Sequence, residues 1–350
     1  MSVICLAVFA GCSGNSGGSS SALSQTESGD ASSEAPKYAK DPLTGEYTLD
    51  FSAEDKRPIA IMINNIKVSL PQRGIAEASI LYEVLAEGGI TRLMAVYPDI
   101  NKIPDVGSVR SGRHYYYSLA NAHKSIFVHY GGSHYLLKYI SDNNLKTINF
   151  LTNKEGANRI PASPGAYRDN SRKAPHNAFT SGERLKTAIS KKGLDASTTI
   201  NDAYKFGDNS STLALGNAAT TVTVPFSSSY KSQFVYNAES GKYEKKNYVS
   251  KQFVDHIDQS TGKALEYTNV FILQTPINLM NANAGYIDVK LTSGSGYYAC
   301  GGKIIPISWA KNGFDGEMKY YTTDGKELTV KSGKSYVGVA PTTSNVTYAE

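Results

Sequence analysis

Cysteine and tryptophan are scarce in this chain, and hydrophobic runs long enough to cross a bilayer are missing. Its 350 residues include three cysteines and one tryptophan. Cys5 lies in a short apolar run and Cys12 just behind it, so only Cys300 remains in the body of the chain and an internal disulfide is excluded. No Cys/His cluster has zinc-site spacing, so neither a metal nor a cofactor is expected. No stretch reaches the roughly 18 apolar residues that a spanning helix needs. No Lys/Arg block or RNA-binding aromatic motif stands out, and the formal charge of +5 is dispersed, which argues against nucleic acid as a partner. A Gly-x-Ser-x-Gly elbow is lacking, and so is any internal repeat of fixed period.

What is present begins at the amino terminus. Ile4 to Ala10 are apolar, Gly11 and Cys12 follow, and then comes a tract rich in Ser, Gly, Ala and Thr. This has the form of a signal peptide ending in a lipid-attachment box, residues 1–12. Phe9 stands where Leu is commoner. No Lys or Arg precedes the apolar run, so Met1 is expected to be a late or trimmed start. The expected mature protein starts at an acylated Cys12, which anchors it to the outer face of the cytoplasmic membrane without a spanning helix. Residues 13–45 read as a linker, a coil with a reach on the order of 30 Å.

The rest reads as an α+β protein. A mixed β/α layered domain is expected over residues 46–200, followed by a mostly antiparallel, β-rich domain over 201–350. Pro58 to Ile63, Ile90 to Tyr97 and Ser125 to Tyr130 are strand-like. Helices are expected over Gly74–Glu87, with Glu83 and Glu87 one turn apart, over about Gly112–Ala122 with Ser111 as N-cap, and over about His134–Asp142. Thr180-Ser181-Gly182-Glu183 has capping-box form and opens another. Later turn signals, Glu239-Ser240-Gly241, Ser260-Thr261-Gly262 and Asp324-Gly325, separate short β-rich runs. Tyrosine is frequent, with 24 residues, which suits half-buried surfaces where the ring packs and the hydroxyl meets water.

Several motifs in fixed order give this chain a family resemblance. They are Arg-Pro-Ile-Ala-Ile-Met-Ile-Asn-Asn (57–65), Pro71-Gln72-x-Gly74, Leu-Tyr-Glu-x-x-x-Glu-Gly-Gly-Ile-Thr-Arg (81–92), Gly-Ser-Val-Arg-Ser-x-Arg (107–113), His129-x-Gly-Gly-Ser and Arg172-x-Ala-Pro-His-Asn. In the second half they are Gly-Ser-Gly-Tyr-Tyr-x-x-Gly-Gly-Lys (294–303), Trp309-x-Lys311 and Gly333-Lys-Ser-Tyr. The chain resembles the YerB-like lipoproteins, Gram-positive-type surface proteins of two domains of unknown function. The resemblance implies a sandwich of β, β and α layers. It implies no reaction and no catalytic residues.

Candidate binding residues come from the loops behind the strands. Asn64-Asn65 and Gly131-Gly132-Ser133 each follow a strand, and Ser108 to Arg113 leads into a helix. Gly-rich turns before helices present backbone N–H groups to an anion. Arg110 and Arg113 add fork-shaped donors, and His129, His134 and His176 are close enough in these motifs to join. The structural alternative is that the glycines only make turns and the arginines pair with Glu83 and Glu87. Tyr82-Glu83 beside Arg92 reads as an internal salt bridge. The expectation is an envelope binding protein whose partner is the membrane through its anchor, together with an anionic wall component or another envelope protein, and no catalytic residue is assigned. The competing class is a hydrolase of wall glycan or peptide using Glu83 or Glu87 and His176. Cys300 reads as a small buried residue.

Overall fold

A computed structural model of the chain describes residues 36–151, 165–281 and 285–350. The signal-like run, Cys12 and the linker up to residue 35 lie outside the described residues, as do Arg159, Pro161 and Pro164. Ordered structure starts earlier than the linker expectation: Ala39–Lys40 pair with Tyr47–Leu49 in a small antiparallel ladder.

In chain order the elements are β1 (Ile59–Asn64), β2 (Ile80–Leu85), β3 (Thr91–Tyr97), α1 (His114–Asn121), β4 (Ile126–His129), α2 (His134–Asp142), β5 (Ile148–Asn149) and α3 (Gly182–Lys192). The later strands are β6 (Thr221–Pro225), β7 (Lys231–Asn237), β8 (Lys242–Val249), β9 (Gln252–Asp255), β10 (Asn269–Thr275), β11 (Ser293–Cys300), β12 (Lys303–Lys311), β13 (Ser335–Pro341) and β14 (Thr347–Ala349). Two sheets result. The central one contains the order β12-β11-β10-β13-β2-β3-β1-β4-β5, so strands from both halves of the sequence join in it. The parallel pairing of β13 with β2 makes that junction. The second sheet, β9-β8-β7-β6-β14, is antiparallel throughout.

These layers follow from side-chain parity. Strands β1, β2 and β3 are buried on both faces and therefore read as largely apolar runs without alternation, interrupted by Glu83 in β2 and Thr91-Arg92 in β3. Ile59, Ile61, Ile63, Leu81 and Leu93 pack with Val222, Val224, Phe234 and Tyr243 of the second sheet, and with Leu185 and Ala188 of α3. Ala60, Met62, Tyr82 and Met94 pack with Tyr116, Leu119 and Leu136 of α1 and α2. The fold is α+β, a β, β, α sandwich, with an antiparallel-rich second half as expected.

Three local expectations are corrected. Gly74–Glu87 is not a helix: a single 3-10 turn at Ile75–Glu77 precedes β2. Every position from Ile80 to Leu85 is buried, so the run carries no alternation and also satisfies a helical period. Helix α1 starts at His114 with Arg113 in the N-cap position and without a side-chain cap, so Ser111 does not cap it. The capping box before α3 is not formed; Ser181 is the N-cap residue, and the Thr180 hydroxyl donates to Gly165 O at 2.6 Å instead.

One carboxylate joins the two sheets. Glu83 of β2 is 2 % exposed. Its Oε1 accepts from Asn65 Nδ2 at 3.1 Å and Thr91 Oγ1 at 2.8 Å. Its Oε2 accepts from Ser232 Oγ and Tyr336 OH, both at 2.8 Å, and lies 3.3 Å from Lys245 Nζ of β8. Lys245 is wholly buried and also donates to Asn247 Oδ1 at 2.7 Å. Burial pushes the Lys245 ammonium pKa down, and Glu83 offsets part of that. Removing one partner of such a pair strands the other charge and costs about 3–5 kcal/mol. Lys245→Met is therefore expected to lower the urea-unfolding free energy by about that amount, and adding Glu83→Gln should recover part of it. Additive losses from the two single variants would contradict the coupling.

Candidate functional site

Strands β1, β4 and β5 run parallel, so their carboxyl ends and the loops that follow gather at one sheet edge, the usual place for a ligand site in such sheets. The stretch Ser108–Arg113 is threaded between the ends of β1 and β4. Asn64 N donates to Ser108 O at 2.9 Å and Arg110 N to Met62 O at 3.0 Å. On the other side Tyr130 N donates to Arg110 O, and Gly112 N to Gly131 O, both at 3.0 Å. Gly112 has to be glycine here, because a Cβ would lie 2.6 Å from Leu136 Cδ2 and 2.8 Å from Phe127 Cε1. Backbone bonds on both sides thus fix where Arg110 and Arg113 project.

The electrostatics of this edge are unbalanced. Arg113, 7 % exposed, forms a two-pronged ion pair with Glu87: Nε donates to Oε1 at 2.6 Å and Nη2 to Oε2. Its Nη1 donates to Gly112 O at 2.7 Å. Burial opposes the Arg113 charge, but the Glu87 bond outweighs it and raises the pKa; the same bond outweighs burial at Glu87 and lowers that carboxyl. Arg92, at the start of β3 and 8 % exposed, makes one hydrogen bond, Nη1 to Ser111 O at 3.1 Å, and its Nε has no partner. Half-buried Arg110 makes only a 3.5 Å contact from Nη1 to Pro175 O, and its Nε is likewise unpartnered. Burial, then repulsion from Arg113 and Arg110, pushes Arg92 down to about 9. Burial and then Arg113 lower Arg110 as well. Among the described residues, only Arg113 of these three is ion-paired, and a surplus of two positive charges remains.

His176 closes one side. Its Nδ1 lies 2.9 Å from Asn64 Nδ2, and burial followed by the Arg110 charge lowers its pKa. Asn64, Arg110, Arg113 and His176 are therefore brought together, with Arg92 among them.

Two family models match this chain, the N-terminal domain of a protein of unknown function (DUF3048) over residues 43–195 and the C-terminal domain of the same over residues 222–337. "Putative lipoprotein YerB" of Bacillus subtilis (strain 168) is 31% identical over 324 residues, which is 89% of each chain. The chain belongs to this YerB-like family. The crystal structure of YerB protein from Bacillus subtilis superposes with a TM-score of 0.73 at 26% identity, covering 88% of this chain and 99% of that one. The relative's name is that of a lipoprotein, and no helix among the described residues is long and apolar enough to cross a membrane.

Other family motifs lie elsewhere in the structure. His129 does not join the arginine cluster: its ring is wholly buried, Nδ1 lies 2.8 Å from Gly131 O and Nε2 2.9 Å from Thr147 Oγ1. Gly131 makes the turn at φ +63°, and its N–H goes to Asn149 Oδ1 at 2.8 Å rather than to an open site. Gly132 pairs with Gly112 across the threaded stretch, and Ser133 caps α2 through Leu136 N at 3.3 Å. His134 opens α2 and is exposed, with its ring edge-on to Tyr135. Asn65 belongs to the Glu83 network instead, donating to Thr91 Oγ1 at 2.8 Å and accepting from Gln72. The expected Glu83–Arg92 bridge is absent, because Glu83 faces the second sheet while Arg92 lies on the other face of its strand. A cavity of about 140 Å³ opens beside Glu83, lined also by Lys67, Tyr230 and Tyr248, but both carboxylate oxygens are already taken. Cys300 is buried, and burial raises its thiol pKa.

Arg92 is the member of the arginine cluster that the sequence reading missed. Strand parity carries the signal: Thr91 bonds Glu83 on one face, so Arg92 must turn to the other. Burial holds His129 at about 4, below the ordinary 6.5. The folded state keeps this ring neutral while the unfolded chain takes up a proton below pH 6.5. Its contribution, up to about 3 kcal/mol, is thus complete above pH 6.5 and lost as pH falls towards 4. Urea midpoints measured from pH 7 to 4 should fall, and His129→Gln should flatten the profile. Parallel profiles would contradict this reading.

Proposed function

We propose that this family member is an extracytoplasmic binding protein, held on the outer face of the cytoplasmic membrane by a lipid at Cys12, whose folded body binds an anionic wall component or an anionic group of an envelope partner. The observation that carries this is the charge count at the sheet edge: Arg92, Arg110 and Arg113 share a single carboxylate, Glu87. Three guanidinium groups held together in a partly buried place repel one another, and a structural role would supply a counter-charge for each. A bound anion supplies it through charge-assisted hydrogen bonds. The lipid-attachment box and the lipoprotein name of the relative support the address.

The hydrolase reading loses its residues. Glu83 and Glu87 do not share a helix face; one is paired with Lys245 and the other with Arg113. A carboxylate locked in this way is not free to shuttle a proton.

Arg110 is the most exposed of the three arginines and so the best probe. Wild-type protein is expected to co-sediment with isolated cell-wall material at low salt, and Arg110→Ala to bind about tenfold more weakly. Equal binding by both would overturn the site. Replacing Cys12 by Ser should move the protein from the membrane to the soluble fraction, and unchanged partition would overturn the anchor.

A further inference from the structure

We infer that the anion of this site is a dianionic, phosphate-type group, and that Glu87, a counter-charge built into the site, sets the net charge that this group has to match. The inference rests on the anion-site reading above and names its ligand class.

Glu87 is a fixed part of the site. It opens a tight turn in which Gly88 and Gly89 both have positive φ, +70° and +69°. The turn is tied to the second sheet's side of the molecule by Ser227 Oγ, which donates to Gly89 O at 2.7 Å. Its carboxylate fills the Arg113 fork. An incoming anion therefore meets Arg92 and Arg110, whose guanidinium groups together make one hydrogen bond and one marginal contact and, among the described residues, no ion pair.

Two positive charges remain to be matched. A single carboxylate neutralises one and, being planar, fits one fork. A tetrahedral dianion neutralises both and offers acceptors in more than one plane, which suits two guanidinium groups arriving from different elements, β3 and the threaded stretch. The first turn of α1, whose N-cap residue is Arg113 and which lacks a side-chain cap, adds partial positive charge at the same place. His176, whose charged form burial and the Arg110 charge disfavour, adds hydrogen-bonding capacity. Phosphate monoesters occur in soluble or wall-borne compounds and in lipid headgroups, and the binding chemistry is shared.

Isothermal titration of the full chain at pH 8 tests this, with inorganic phosphate, glycerol 1-phosphate and acetate as soluble probes and phosphatidate-containing vesicles as the lipid arm. The phosphates are expected to bind at least about tenfold more tightly than acetate. Equal affinity for acetate would overturn the dianion assignment. In Glu87→Gln a third positive charge is left unmatched, and a dianion gains more from it than a monoanion does, so the preference for phosphate over acetate should widen. A preference that stays the same in a variant with wild-type circular dichroism would overturn the role of Glu87. Tighter binding of vesicles than of glycerol 1-phosphate supports a lipid source, and the reverse supports a soluble or wall-borne one. If no anion binds the wild type, the site reading itself fails. If anions bind without preference, only the present inference does.

Discussion

A buried carboxylate with a full set of partners holds this molecule together. Glu83 stands on a central strand of the main sheet and gathers donors from its own sheet, from the loop after β1 and from the second sheet. Alone in that interior its charge would cost several kcal/mol. With Lys245 opposite, and every remaining lone pair engaged, it becomes a polar pin between layers that are otherwise apolar. Its partners Asn65 and Thr91 are chain neighbours of Asn64 and Arg92, which lie across the sheet in the arginine cluster. Pinning one pair therefore sets the position of the other.

The two faces of these strands contrast. At Glu83, facing the second sheet, one acid meets one base and their charges balance. Towards the helices, three arginines meet one acid and they do not. Both groups are buried or half buried, so water does not equalise them. The proposed anionic ligand would supply the charge that the arginine cluster lacks. The edge position agrees, because parallel strand ends are where α/β layers present loops and helix starts to ligands.

Much of the fold was legible in the chain. The strand-like runs at 58–63 and 90–97 are β1 and β3, α2 spans the residues expected for it, and the Glu239-Ser240-Gly241 turn joins β7 to β8. The strand at 80–85 was not, because burial on both faces erases the alternation that separates strand from helix. That misreading carried Glu83 and Glu87 into a pair that does not exist. Within the site, the meeting of the loops after β1 and β4 could be anticipated from strand-loop-helix order, and so could Arg110 and Arg113. The Glu83–Lys245 contact, between residues far apart in sequence, could not, since no local pattern encodes which sheets face each other. His129 misled for a different reason: a histidine at a strand end reads as accessible, whereas its ring here stacks on Phe127 and turns inward to Thr147.

The surplus charge at the sheet edge is tested most directly by anomalous diffraction from crystals soaked in tungstate, a heavy dianion of phosphate shape. A strong peak between Arg92 and Arg110, within hydrogen-bond distance of both guanidinium groups and with Glu87 still on Arg113, is the expected result. Peaks only at surface lysines, with the three arginines unvisited, would contradict an anion-binding role for the cluster.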